Sequence, residues 1–229
     1  MIPLHGQVPK GHPPLAVVAL ALGCAAGFLH QVSLSDAALE AWVRRFGVIP
    51  VRTLAALQHH PTDLQAWLAP VFVSPFIHGG LFHLVSNLVF LLAFGRGVEG
   101  RLGHGRTLAL CTVAAVAAAG THVAMSPTSD LPMVGASGAL SGIMGAYLVM
   151  YPFSRITTLI PIVVVPVFVG IPAFVFIGLW LALQILAVTG EGADAGVAWW
   201  AHLGGFIAGP LLALLLDPGP AETEAPSRG

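Results

Sequence analysis

Charge is what this sequence has least of. Charged residues fill 8% of its 229 positions, where a soluble globular domain carries roughly a quarter. Too few ions are present to cover a water-facing surface, which excludes an ordinary soluble fold. Lysine is nearly missing, with Lys10 the single example, and the formal net charge is −1. Nucleic-acid binding therefore has no electrostatic support. Two cysteines occur, Cys24 and Cys111, in separate apolar stretches. They make neither a disulfide framework nor a zinc site, both of which need clustered ligands. Apolar residues, at 56%, are what is abundant. The composition is that of an all-α polytopic membrane protein.

Six apolar spans are expected, over 14–28, 81–94, 107–125, 137–150, 173–188 and 197–216. The first is short and resembles a signal peptide in length, with Ala25-Ala26-Gly27 as a cleavage-like triplet. Its weak positive end and the spans that follow favour a retained helix. The stretch 156–186 is apolar but carries Pro161, Pro166 and Pro172. Proline breaks helices, so 160–171 is left open between loop, kinked helix and part of the fifth span. Residues 30–76 mix acids and arginines with Trp42, Trp67 and many aliphatics, and are broken by Pro50, Pro61, Pro70 and Pro75. This reads as a long membrane-associated first loop of short amphipathic helices lying in the interface. Three parts are expected: an N-terminal segment 1–13, a six-helix membrane domain 14–216 and a disordered tail 217–229.

Arginine placement sets orientation. Arg96, Arg101 and Arg106 fall between the second and third spans and Arg155 between the fourth and fifth. With both loops cytoplasmic, Lys10, Arg228 and both termini are cytoplasmic, and the acidic loop 191–194 is outside.

Polar residues in the spans then stand out. Ser137 lies between glycines in Gly135-Ala136-Ser137-Gly138 and opens the fourth span. Small residues there serve close helix packing. They also suit an exposed nucleophile, because a helix N-terminus offers N–H groups to an oxyanion. His83 and Asn87, four residues apart, share one face of the second span. His202 opens the sixth span ahead of Gly205 and Gly209, whose GxxxG spacing allows close contact with the glycines of the fourth. Under the orientation above, Ser137, His202 and His83 all enter from the outer side and can meet at similar depth. That meeting permits acyl transfer. His202 takes the serine proton and returns it to the leaving amine. The Ser137 backbone N–H, Asn87 and His83 are candidate oxyanion donors. For His30, His59, His60, His104 and His122 the plainer reading is packing or hydrogen bonding. The pair His59-His60 has no evident third metal ligand.

In order, these residues carry a family pattern. His78-Gly-Gly-Leu-Phe-His83 with Asn87, then Glu99-Gly-Arg101, then Gly135-Ala-Ser137-Gly138, then Ala201-His202 with Gly205 and Gly209, resembles the rhomboid intramembrane serine proteases over about 70–210. The resemblance implies a six-transmembrane-helix, rhomboid-like bundle. It implies a Ser137–His202 dyad with no third acidic member, and cleavage of transmembrane segments of single-span membrane proteins near their outer end. It gives His83 and Asn87 to the oxyanion side. His78, Glu99 and Arg101 become structural, and no metal, nucleotide or organic cofactor is implied. Cleavage after a small residue, ahead of helix-destabilising ones, is also implied.

Two departures are visible. The family's Trp-Arg pair in the first loop reads Ala69-Pro70 here, and Ser141 stands where some members stack an aromatic on the catalytic histidine. Trp199, Trp200 and Phe206 are the candidates to hold the His202 ring instead. The alternatives are a non-catalytic rhomboid-like protein that binds membrane clients, whose mark would be loss of the serine or histidine, and a small transporter. Scarce lysine beside abundant Ala and Gly points to a bacterial cytoplasmic membrane.

Overall fold

The computed structural model describes residues 1–9, 11–162, 165–189, 197–217 and 219. Lys10, the acidic loop 191–194, Arg228 and most of the tail 217–229 lie outside the described residues. The chain is mostly helical, but the all-α expectation needs correcting. Strand β1 (Ile2–Gly6) pairs antiparallel with β2 (Arg155–Ile162), which pairs antiparallel with β3 (Val165–Pro172). The stretch left open in the sequence is thus a β-hairpin, with Pro161 opposite Pro166 near its tip. Its prolines forbid helix, and its Ile, Val and Thr residues suit a pleated backbone. The first residues supply the sheet's third strand, at its edge beside β2.

Helix α1 (Leu15–Val32) is followed by the long connection, which folds into α2 (Asp36–Phe46), α3 (Pro50–His59), α4 (Leu64–Trp67), α5 (Ala69–Val73) and a 3₁₀ turn, Ser74–Phe76. The caps are local: Ser35 Oγ accepts from the Ala38 N–H, Asp63 Oδ1 accepts from the Ala66 N–H, and Pro50 sits in the first turn of α3. Then come α6 (Leu81–Leu102), α7 (His104–Met125), α8 (Ser137–Met150), α9 (Ala173–Thr189) and α10 (Trp199–Leu216). Four of these, α1, α6, α7 and α10, are long and apolar enough to cross a membrane. The apolar helices α8 and α9 are shorter, at 14 and 17 residues.

Arg96 and Arg101 are not in a loop, as expected, but in the last turns of α6. A single glycine, Gly103 at φ 77°, separates α6 from α7. Along the added turns Glu99 and Arg101 find partners inside the protein, while Arg96 is exposed.

The centre of the bundle is α8, which is buried continuously from Leu140 to Tyr147 and packs on α6, α7 and α10. Aromatic side chains fill the space around it, with Tyr147 edge-on to Phe94 at 5.2 Å between centroids. Against α10 the two backbones touch at two places. A methyl group at Gly205 would strike the carbonyl oxygen of Gly138, and one at Gly209 would strike that of Gly142. Backbone contact of this kind needs glycine, so the GxxxG expectation is met at the atomic level.

At the far end of α6, Glu99 is fully buried. Its carboxylate accepts from the Ala16 and Val17 N–H groups at 2.7 and 2.8 Å and from His104 Nδ1 at 2.5 Å. The first residues of α1 have no cap of their own. Glu99 supplies the cap from another helix, opposite the positive end of the α1 dipole. Arg101 donates to both carboxylate oxygens of Asp217, at 3.0 and 2.6 Å, and to the Met150 carbonyl at 3.4 Å. It ties the ends of α6, α8 and α10 together.

Candidate active site

The site begins with the turn before α8. Gly135 has φ 107°, a conformation that favours glycine. Its N–H donates to the Ser74 carbonyl at 2.9 Å. Two residues earlier, Met133 exchanges backbone hydrogen bonds with Val48, at 3.1 and 2.9 Å. The long first connection therefore holds this turn from behind. Ser137 becomes the first residue of α8, which has no side-chain cap. Helix geometry leaves the N–H groups of Ser137, Gly138 and Ala139 without intrahelical acceptors.

Backbone contact between α8 and α10 brings His202 to Ser137, with Nε2 2.9 Å from Oγ. On its other side, His202 Nδ1 is 2.7 Å from Gln184 Oε1 on α9. The Gln184 amide nitrogen donates to the Trp180 carbonyl at 3.2 Å, which fixes which way the amide points. An amide oxygen only accepts, so Nδ1 carries the proton and Nε2 is left to accept from the serine hydroxyl. The imidazole sits among aromatic rings, with Trp199 edge-on at 5.9 Å and Trp180 at 6.0 Å. Trp199 was among the expected ring partners. Phe206 packs against Trp180 instead, at 6.0 Å. Ser141 is buried and turns back to its own helix, donating to the Ser137 carbonyl at 2.7 Å.

From α6, His83 and Asn87 face the same place. A methyl group built on Gly135 would lie 2.7 Å from the His83 ring and 3.4 Å from Asn87 Nδ2, so this turn passes directly over both side chains. His83 Nδ1 accepts from the Gly79 N–H at 3.3 Å. Its Nε2 is then the protonated nitrogen, a donor directed toward Gly135. Asn87 is buried, and its amide nitrogen has no partner among the described residues. His78 is not part of this wall. It lies behind His83, with rings 5.3 Å apart, and Gln31 clamps its backbone N–H and carbonyl at 2.9 Å each. Gly138, Gly205 and Gly209 shape the helix contact.

Ser137, His202, His83 and Asn87 line a cavity of about 1150 Å³, whose walls also include His122 and Trp180. Its polar side chains are hydroxyls, imidazoles, indoles and the Asn87 amide, with no carboxylate among the described residues of the lining. Among the described residues no group of three or more His, Cys, Asp or Glu is placed to hold a metal. Sequence reasoning missed Gln184. Its signal was available: it is the one amide in an otherwise apolar helix, and a polar residue in such a segment needs a partner.

A sequence profile of the Rhomboid domain matches residues 65–218. The chain is also similar to RHOMBOID-like protein 5 of Arabidopsis thaliana, 33% identical over 72 residues. That match covers 31% of this chain and 23% of the plant protein, so the chain spans about a quarter of the length of the curated relative it matches. The domain match covers most of the chain and contains both ends of α6, the serine turn and the histidine helix; the chain belongs to the rhomboid family.

Proposed function

We propose that this protein is an intramembrane serine endopeptidase that cleaves transmembrane segments of single-span membrane proteins near their outer end. One observation carries the reading. A serine hydroxyl lies 2.9 Å from an imidazole whose far nitrogen is already engaged, beside a buried Asn87 donor with no partner among the described residues.

In this reading Ser137 is the nucleophile and His202 the general base. His202 Nε2 takes the hydroxyl proton as Oγ attacks the peptide carbonyl. The oxyanion is met by the Ser137 backbone N–H, Asn87 Nδ2 and His83 Nε2, each worth a few kcal/mol in the transition state. His202 then gives its proton to the leaving amine. Water hydrolyses the acyl-enzyme by the same steps in reverse. The protein's own side chains supply the base and the donors.

The length of α8 supports cleavage below the surface. Fourteen residues rise about 21 Å, against a hydrocarbon core of about 30 Å. With its far end at the opposite surface, the serine end of this helix would lie below the outer one, and the cavity beside it would give water a path. A volume of about 1150 Å³ suits an extended peptide segment better than a small metabolite.

The reading includes six crossings, with α8 and α9 as the fourth and fifth, and both termini cytoplasmic. The membrane domain is 14–216, flanked by 1–13 and the tail 217–229. The lysine-poor composition supports a bacterial cytoplasmic membrane.

The test is labelling of the detergent-purified protein with a fluorophosphonate probe, which needs no known substrate. Parent protein is expected to label, and Ser137→Ala and His202→Ala are expected not to. Equal labelling of Ser137→Ala would put the nucleophile elsewhere. A parent that neither labels nor cleaves a model transmembrane substrate in liposomes would be a client-binding relative instead.

A further inference from the structure

The geometry assigns to Gln184 the orienting of the His202 base: its amide oxygen accepts the Nδ1 proton and so keeps the Nε2 lone pair on Ser137. This rests on the dyad reading above and adds a third, uncharged member to it.

Three observations converge. First, the chain of contacts is continuous. The Trp180 carbonyl accepts from Gln184 Nε2 at 3.2 Å, Gln184 Oε1 accepts from His202 Nδ1 at 2.7 Å, and His202 Nε2 meets Ser137 Oγ at 2.9 Å. The first bond sets the amide's orientation, the second the imidazole's tautomer, and the third uses the nitrogen that the tautomer leaves unprotonated. A neutral imidazole with its proton on Nε2 would turn a donor toward the serine and could not act as a base. Second, Gln184 is out of character with its helix. α9 reads Ala-Phe-Val-Phe-Ile-Gly-Leu-Trp-Leu-Ala-Leu-Gln-Ile-Leu-Ala-Val-Thr. Gln184 is on its narrow buried strip with Ala173, Phe176 and Ile177, while Leu183 and Ile185 on either side face outward. An apolar residue would pack there without the cost of desolvating an amide. Third, no carboxylate among the described residues bonds to His202, and Gln184 Oε1 is the acceptor that stands at its Nδ1. In a membrane interior a neutral acceptor fixes the tautomer without burying a charge.

Gln184 is also the tie between α9 and the dyad. Seating of α9 against α10 then becomes a condition for a correctly turned base.

Helix–helix adhesion alone is the simpler role for such an amide, and it makes different predictions. The experiment uses full-length protein in detergent, with Gln184→Met, which keeps the length but not the acceptor, and Gln184→Glu, which keeps an acceptor oxygen. Three quantities are measured: the second-order rate of fluorophosphonate labelling, the thermal midpoint, and the ¹⁵N shifts of the labelled His202 ring. For the parent, Nδ1 is expected to carry the proton. Gln184→Met is expected to label about tenfold to a hundredfold more slowly, with a mixed-tautomer ring signal and a midpoint close to the parent's. Gln184→Glu is expected to regain most of the rate. A Met variant that labels at the parental rate with an unchanged ring signal overturns the assignment. So does equal slowing in Met and Glu variants together with a lowered midpoint, since that is the signature of packing. If the parent neither labels nor cleaves a model transmembrane substrate, the dyad reading fails by itself and the ring signal still decides this one. An Nδ1 proton that loses its definition in Gln184→Met upholds the assignment, and an Nε2 proton in the parent overturns it.

Discussion

The two ends of α6 each carry polar side chains and treat them in opposite ways. At its start are His83 and Asn87. At its finish are Glu99 and Arg101. The finish is closed: every oxygen of Glu99 and Asp217 has a donor, and Glu99 is sealed from solvent. The start is open: it lines a cavity, and the Asn87 amide nitrogen is buried without a partner among the described residues. A buried polar group that lacks a partner costs stability. In the proposed function the open end is the one that meets a substrate. Lacking a partner is not enough by itself, since both ring nitrogens of the buried His78 also lack one among the described residues; what sets Asn87 apart is that it lines the cavity as well.

The contrast can be tested by measuring activity and stability on the same variants. The largest effect on activity is expected from Asn87→Ala. Loss of one oxyanion donor costs on the order of a hundredfold in turnover, so cleavage of a transmembrane substrate should fall by about that factor. The thermal midpoint should hold or rise, because an unpartnered buried amide has gone. A fall in both would show that Asn87 is a structural group and erase the distinction between the ends.

Glu99→Ala should do the reverse. It strips the cap from α1 and leaves two N–H groups buried, a loss of about 2–4 kcal/mol. Unfolding temperature should drop, while labelling per folded molecule stays at the parental level. Selective loss of labelling, with stability intact, would place Glu99 in the chemistry and contradict the division.

The smallest effect is expected at Asp217. Its hydrogen bond with the Arg101 guanidinium holds its carboxyl below the ordinary value of 3.8. A carboxyl depressed in the folded state adds stability above its unfolded pKa, and that stability is lost as pH falls through the folded value. Asp217→Asn should therefore lower the midpoint slightly at neutral pH, by under about 1 kcal/mol for a partly exposed pair. The difference from the parent should begin to shrink only as pH falls below the ordinary value of 3.8 and should vanish once pH is below the depressed folded value. A difference that persists in acid would mean the aspartate acts through packing.

Much of this molecule was legible without coordinates. Hydropathy located the apolar helices to within a few residues at most ends, because a helix in lipid must satisfy its backbone internally and so needs a continuous apolar run. The glycine spacing of α8 and α10 announced their contact, and that contact carried Ser137 to His202. The hairpin 155–172 was not legible. Its apolar run resembles a span, and what its prolines allow depends on a partner strand, β1, more than 150 residues away in the chain. Gln184 escaped for a related reason. A single amide in a hydrophobic helix has no local pattern, and its meaning lies in what stands opposite. Local sequence determined where helices start and stop, which residues want lipid and which helices can touch. Only the tertiary structure decided which polar groups find partners, because hydrogen bonds such as Glu99 to Ala16 and Gln184 to His202 join atoms that no sequence period brings together.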